Sequence, residues 1–290
     1  MTIKWWLVAV RFYLNRLRVL SRAQRLFKDK KPGTLMERRL FGLTYVCDIS
    51  RWPQQAIFLL GKRCIPEARL IQRLLKPGMR VVDVGANVGY YMLMFAQKIG
   101  HEGHIIAIEP SPENLLELQL NIERNDLKNV ELIPKAVGAD QRMVGLRTGI
   151  NSGVVPAGHG EYKVEQDALD NMVSGYVDMM KIDIEGYEGH ALRGAVRLLQ
   201  QYHPILVIEI HPEQLASIGE TVSEIINVLK QYYGRLDLYK PAVQHGFIQK
   251  LAAHYLGMGR IAQIRDTVSY IYIGCCDSGK VRHPFWAVCR

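Results

Sequence analysis

Apolar positions along the chain fall into runs of two periods. Continuous apolar blocks at 80–84 (RVVDV), 104–108 (HIIAI) and 205–210 (ILVIEI) are strand-length and do not alternate, as expected of parallel strands covered on both faces. Weaker blocks at 130–134 and 177–182 add two further strands. Between the blocks, apolar residues recur three and four apart and predict helices at 66–75, 90–99, 113–125 and 190–200. The first of these has Pro66 in its opening turn and closes on Lys76-Pro77-Gly78. This alternation predicts an α/β fold: a doubly wound, mostly parallel sheet. A short strand at 41–47 precedes it, and two late runs, 236–239 (LDLY) and 270–274 (YIYIG), predict an antiparallel closing pair at one sheet edge. Residues 140–176 hold many glycines and few apolar runs, and read as an excursion over the ligand edge of the sheet.

The first 40 residues follow a different pattern. The apolar run from Trp5 to Val10 is ended by Arg11, too early to span a bilayer and in a poor context for a signal peptide. At ~100° per residue, Trp6, Val10, Tyr13, Leu14, Leu17 and Leu20 share one face, and Arg11, Asn15, Arg18, Arg22 and Arg25 take the other. Residues 5–28 therefore read as a basic amphipathic helix. It suits a peripheral membrane interface, or docking on its own domain or on a second subunit.

Charge changes the picture once it is located. The net +9 suggests a nucleic-acid partner, yet residues 1–40 hold eleven Lys/Arg against Asp29 and Glu37. That leaves 26 basic and 26 acidic groups on the rest (37 less eleven, 28 less two). A neutral body lacks the electrostatic footprint of a nucleic-acid-binding domain, so no nucleic acid is expected. Cys47, Cys64, Cys275, Cys276 and Cys289 are odd in number and lack Cys-x-x-Cys spacing. They read as small buried hydrophobes in a reducing, cytoplasmic compartment. The chain divides into a basic segment at 1–40 and one domain at 41–290. Within that domain lie a cofactor half at about 66–140, the excursion at 140–176 and strand ends at 177–212.

The candidate ligand loop is DVGANVGYY at 83–91. It joins the first strand of the alternation to its helix, where open α/β sheets bind ligands. Gly85 and Gly89 leave room for backbone to approach a ligand, and the helix start offers free N–H groups. A dinucleotide site wants G-x-G-x-x-G; here the pattern is Asp83-x-Gly85-x-Asn87-x-Gly89. An acid at the strand end repels a pyrophosphate and suits the ammonium and sulfonium of S-adenosylmethionine. Glu109 ends the next strand, twenty residues after Gly89, where a carboxylate can accept both ribose hydroxyls.

DVGANVGYY, IEPSPENLLELQLNIERN, VDMMKIDIEGYEGHALRGA and PILVIEIHP, with the lead-in PQQAIFLLGKRCIPEARLIQRLLKPG, resemble successive blocks of the FkbM-type methyltransferases. The resemblance covers roughly 51–212 and implies a class I S-adenosylmethionine-dependent O-methyltransferase acting on a hydroxyl of a sugar, glycolipid or polyketide-like acceptor. Methyl transfer to an alcohol requires alignment and a base or a metal. Candidates sit at the strand ends: Lys181, Asp183, Glu185, Glu188, Glu209 and His211. In one reading Asp183 or His211 takes the proton and Lys181 positions a carboxylate. In the other, Asp183, Glu209 and His211 hold a divalent cation such as Mg2+; the spacing VDMMKID, with an acid five residues after Asp178, is similar to that of catechol-type O-methyltransferases, whose metal ligands come from the ends of these two strands. Glu185 and Glu188 are expected to be structural, Glu188 by opening the next helix. The lone His159 and His190 are expected in surface or core roles. A non-catalytic S-adenosylmethionine-binding protein and a nicotinamide-dependent Rossmann-like protein are the alternatives.

Overall fold

The structure is a computed structural model that describes residues 25, 27–61, 65–148, 153–234, 236–241, 258–260 and 271–275. Its centre is an eight-stranded sheet. Five strands are parallel: β3 (Arg80–Val84), β4 (His104–Ile108), β5 (Val130–Ile133), β10 (Met179–Ile182) and β11 (Ile205–Ile210). The remaining three, β12 (Leu236–Pro241), β13 (Met258–Arg260) and β14 (Ile271–Cys275), pair antiparallel at one edge. The order is β13-β12-β14-β11-β10-β3-β4-β5, so the chain starts in the middle and winds outward twice. The expected closing pair is there, with β14 inserted between β11 and β12 and β13 added outside.

Alternation along the strands sorts their side chains into two cores. Val81, Ile105, Ala107, Met179, Ile205 and Val207 face one layer, with α1 (Trp52–Leu60), α2 (Ile65–Leu74), α3 (Tyr90–Ile99) and α4 (Pro112–Arg124). Val82, Val84, Ile106, Met180, Ile182 and Ile208 face the other, covered by α5 (Leu169–Met172), α6 (Glu188–Arg193), α7 (Val196–Tyr202), α8 (Pro212–Ser217) and α9 (Val222–Lys230). The same alternation puts Asp83, Lys181 and Glu209 on the α2–α3 side, at the carboxyl ends of three adjacent strands. Lys181 is in register with Asp83 on one neighbour and Val207 on the other.

Several expectations need correction. The helix predicted at 190–200 is two pieces, α6 and α7, broken at Gly194-Ala195, where a Cβ on Gly194 would lie 2.1 Å from the Gly138 carbonyl oxygen. The excursion is regular: β6 (Ala136–Gly138), β7 (Arg142–Arg147), β8 (Gly153–Val155) and β9 (Tyr162–Ala168) form a sheet ordered β6-β9-β7-β8. Its own small core is Ala136, Val144, Leu146 and Val164, too few apolar residues to stand out as runs. The strand at 41–47 is half of a hairpin, β1 (Leu35–Leu40) with β2 (Leu43–Asp48). The amphipathic helix expected at 5–28 lies outside the described residues but for its end, where Phe27 packs edge-on against Phe58. No helix among the described residues is long and apolar enough to cross a membrane.

Candidate active site

The loop after β3 is held by backbone. The Gly85 and Ala86 N–H groups both donate to the Ile108 carbonyl at 3.0 Å, and Asn87 and Gly89 take positive φ angles of 51° and 89°. The glycines were expected to make room for a ligand; here they also permit close packing. A Cβ on Gly85, whose φ is 80°, would lie 2.0 Å from the Asp183 carbonyl oxygen, and one on Gly89 would meet Leu118 at 2.7 Å. Gly85 thus brings the ligand loop against the chain that carries Asp183.

Glu109 folds back over this loop. Its Oε2 accepts the Asn87 N–H at 2.9 Å, and its Oε1 accepts the Ser111 N–H and the Asn114 amide at 3.0 Å each. Burial pushes its pKa up, opposed by these hydrogen bonds and by the Arg51 charge. A carboxylate offers about four lone-pair sites, so three donors leave capacity for a hydroxyl. Arg51 donates to Asn114 at 2.7 Å and to Glu117 at 2.8 Å, tying the orientation of Glu109 to α1. The Asn87 side chain turns inward, its Oδ1 accepting the Val88 N–H at 2.9 Å.

Asp83 is fully buried, and neither of its carboxylate oxygens has a hydrogen-bond partner. Burial pushes its pKa up to about 7; Lys181 opposes this, while Asp183, Glu109 and Glu67 add to it. Lys181, equally buried, donates to Asp183 Oδ2 at 3.0 Å, and its ammonium lies 4.6 Å from the centre of the Tyr91 ring. Burial disfavours that charge, but Asp183, Asp83, Glu67 and Glu209 outweigh it and raise the lysine pKa.

The second half of the site surrounds His211. Its Nδ1 is 2.9 Å from Glu188 Oε1, and its Nε2 lies 3.4 Å from Glu185, 3.9 Å from Asp183 and 4.0 Å from Glu209. Burial works against its charge, but Glu188, Asp183 and Glu185 lift its pKa to about 9. Glu209 is pushed up to about 8, first by burial and then by Asp183 and Glu67. The strand β10 stops at Ile182, so Glu185 is placed by its own left-handed backbone, φ 53°, and not by strand alternation. Glu185 and Glu188, expected to be structural, both belong to this cluster. Glu188 does open α6, yet it is fully buried and binds His211 and the Gly186 N–H. One ligand atom each from Asp183, Glu185 and His211 lie within 4.8 Å of one another, a grouping that includes Glu185 beside two of the three residues expected, with Glu209 4.0 Å from His211.

The residues that sequence reasoning passed over are Glu67 and Tyr91. Glu67 is one polar position of the helix predicted at 66–75 and Tyr91 the last residue of DVGANVGYY, and no pattern sets either apart. In the structure the Tyr91 hydroxyl donates to Glu67 Oε2 at 2.5 Å, beside Lys181. Of the two lone histidines, His159 is exposed and His190 stacks on Tyr187 and pairs with Glu220 at 3.3 Å.

A doubly wound sheet with a buried acid at the end of its central strand and a second acid at the end of the next has its ligand edge where open α/β sheets receive nucleoside ligands. The chain belongs to the methyltransferase FkbM domain family, whose model matches residues 83–236. Shorter similarities accompany this match. Over 55 residues the chain is 46% identical to protein-L-isoaspartate O-methyltransferase 1 of Arabidopsis thaliana, covering 19% of this chain and 24% of that protein. Over 55 residues it is 36% identical to an arsenite methyltransferase of Halobacterium salinarum, covering 19% and 14%. The chain thus spans a quarter or less of the length of these curated relatives. Among solved structures it is similar to methyltransferase FkbM from Methylobacillus flagellatus, at 16% identity and a TM-score of 0.45, over 90% of this chain and 60% of that one.

Proposed function

We propose that the chain is an S-adenosylmethionine-dependent O-methyltransferase acting on a hydroxyl of a sugar, glycolipid or polyketide-like acceptor. The observation that carries the donor assignment is Asp83, a buried carboxyl without a partner beside a loop shaped for a nucleoside. Around Lys181 the site sets four carboxyl groups, Glu67, Asp83, Asp183 and Glu209, against one ammonium. Such an excess suits a cationic donor and opposes a pyrophosphate. When bound, S-adenosylmethionine supplies an electrophilic methyl group.

Asp183 is the candidate base. Lys181 holds its Oδ2 and His211 Nε2 lies 3.9 Å from its Oδ1, so the carboxylate is fixed in orientation to accept the proton of an acceptor hydroxyl. His211 is held as the imidazolium near neutral pH by Glu188, Asp183 and Glu185, which makes it a poor base and a good anchor for Asp183 and Glu185. The small sheet lies beside the chain that carries Glu185: Arg142 donates to the Tyr187 hydroxyl at 3.2 Å, and a Cβ on Gly153 would lie 3.7 Å from the Glu185 carbonyl oxygen. The acceptor class follows from the family resemblance. Incubation with methyl-labelled S-adenosylmethionine and a panel of glycan and glycolipid hydroxyl acceptors tests it. Label transfer to oxygen, lost in Asp183→Asn, is expected; transfer to nitrogen, sulfur or nucleic acid alone would refute it.

A second reading has its own observation. Asp183, Glu185 and His211 have the donor chemistry and spacing to hold a divalent cation such as Mg2+, which would polarise the acceptor oxygen. Loss of turnover with EDTA, restored by Mg2+, is its signature, and turnover unchanged by EDTA excludes it. Peripheral membrane contact through residues 5–28 belongs to the first reading, with a lipid-linked acceptor. Removal of residues 1–30 is expected to abolish sedimentation with anionic liposomes, and unchanged sedimentation would remove the anchor.

A further inference from the structure

Glu67 lies outside the family-matched region, in the first turn of α2, and is almost fully buried. The hydroxyl of Tyr91, from α3, donates to its Oε2 at 2.5 Å, and the ring of the same tyrosine underlies the Lys181 ammonium. That ammonium in turn donates to Asp183 Oδ2 at 3.0 Å, so a chain of contacts ties Glu67 to the buried carboxyls at the strand ends. Nothing about helix α2 requires a buried acid there, since an exposed acid in a first turn would serve the dipole as well. A buried carboxylate is costly unless it is hydrogen-bonded or paired, and Tyr91 supplies a hydrogen bond here.

We propose that Glu67 is a specificity residue of this site, setting the preference for the cationic methyl donor over its product; this rests on the donor reading above. The two ligands share adenosine, carboxylate and ammonium, and differ by the methyl group and the sulfonium charge. Contacts to the shared parts cannot distinguish them. A fixed negative field can, and it also favours release of product once the charge has left with the methyl group. Tyr91 holds Glu67 in place, so the tyrosine is a positioning residue for that field.

The test is calorimetric titration of the full chain with S-adenosylmethionine and, separately, with S-adenosylhomocysteine, in the wild type, Glu67→Gln and Tyr91→Phe. Removing one unit charge at a distance of several ångströms in a partly polar interior is expected to weaken S-adenosylmethionine about tenfold and S-adenosylhomocysteine by less than about twofold. Tyr91→Phe keeps the aromatic core and loses the hydroxyl, with a shift of about threefold in the same ratio. It stands in if Glu67→Gln does not fold. Equal weakening of both ligands, or no change in either, would assign Glu67 and Tyr91 to a purely structural tie between α2 and α3 and overturn the proposal. Failure of the wild type to bind either ligand would instead overturn the donor reading itself.

Discussion

Two buried polar regions of this molecule invite comparison, the hairpin corner and the carboxyl edge of the sheet. At the corner, Asn121 is completely used: its Oδ1 accepts the Val46 N–H, and its Nδ2 faces the carbonyls of Val46, Val88 and Glu117 at 2.9–3.0 Å. Glu117 accepts from the Asp48 N–H and from Arg51. At the sheet edge Asp83 is just as buried and accepts nothing, and Glu188 leaves Oε2 unpaired. Both regions incur the desolvation cost of burying polar atoms. Asn121 and Glu117 recover it within the fold. We propose that Asp83 is left for a ligand to recover, which is the physical difference between a structural network and a binding site.

That contrast can be broken by mutation. The largest effect is expected at Asp183→Asn, with turnover down about a thousandfold, the usual scale for a general base, and donor affinity within about threefold of wild type. Kinetics with labelled donor, paired with calorimetry, separate the two. Gly85→Ala comes next: its Cβ would sit 2.0 Å from the Asp183 carbonyl at a positive φ, so both loops must move, at a cost of about 3 kcal/mol or more in chemical denaturation. Asn121→Ala is expected to cost about 3 kcal/mol, because it strands a buried amide and carbonyls, while the folded fraction still binds S-adenosylhomocysteine.

Asp83→Asn should behave in the opposite way, weakening S-adenosylmethionine about tenfold while the free protein becomes more stable at pH 8. The sign follows from the raised pKa. An acid shifted from 3.8 to about 7 binds more protons folded than unfolded, so its contribution is full below pH 3.8 and is lost as pH rises through about 7. Thermal unfolding of the free protein should therefore show stability falling by about 2 kcal/mol between pH 5 and pH 7.5, with a flatter profile in Asp83→Asn. If both profiles have the same slope, Asp83 is not the group that the ligand completes.

Much of this edge was legible in the chain itself. Continuous apolar strands announce a sheet buried on both faces, and Asp83, Glu109, Asp183 and His211 stand at strand ends where alternation and topology bring them together. What stayed hidden depends on contacts between distant elements. Glu67 is an ordinary helical acid until α2 packs on the sheet, and Glu188 is an ordinary first-turn acid until His211 arrives from the next strand. Glu185 takes a left-handed backbone after β10, which no alternation rule predicts. The excursion hid its strands because each is three to seven residues long, around a core of four.

The central claim is that the loop from Asp83 to Gly89, with Glu109, holds the methyl donor. Its most direct test is calorimetric titration of the full chain with S-adenosylhomocysteine and then with NAD, in the wild type and in Glu109→Ala. The account predicts binding of S-adenosylhomocysteine, no binding of NAD, and loss of the first in Glu109→Ala. Binding of NAD, or S-adenosylhomocysteine binding that survives Glu109→Ala unchanged, would contradict it.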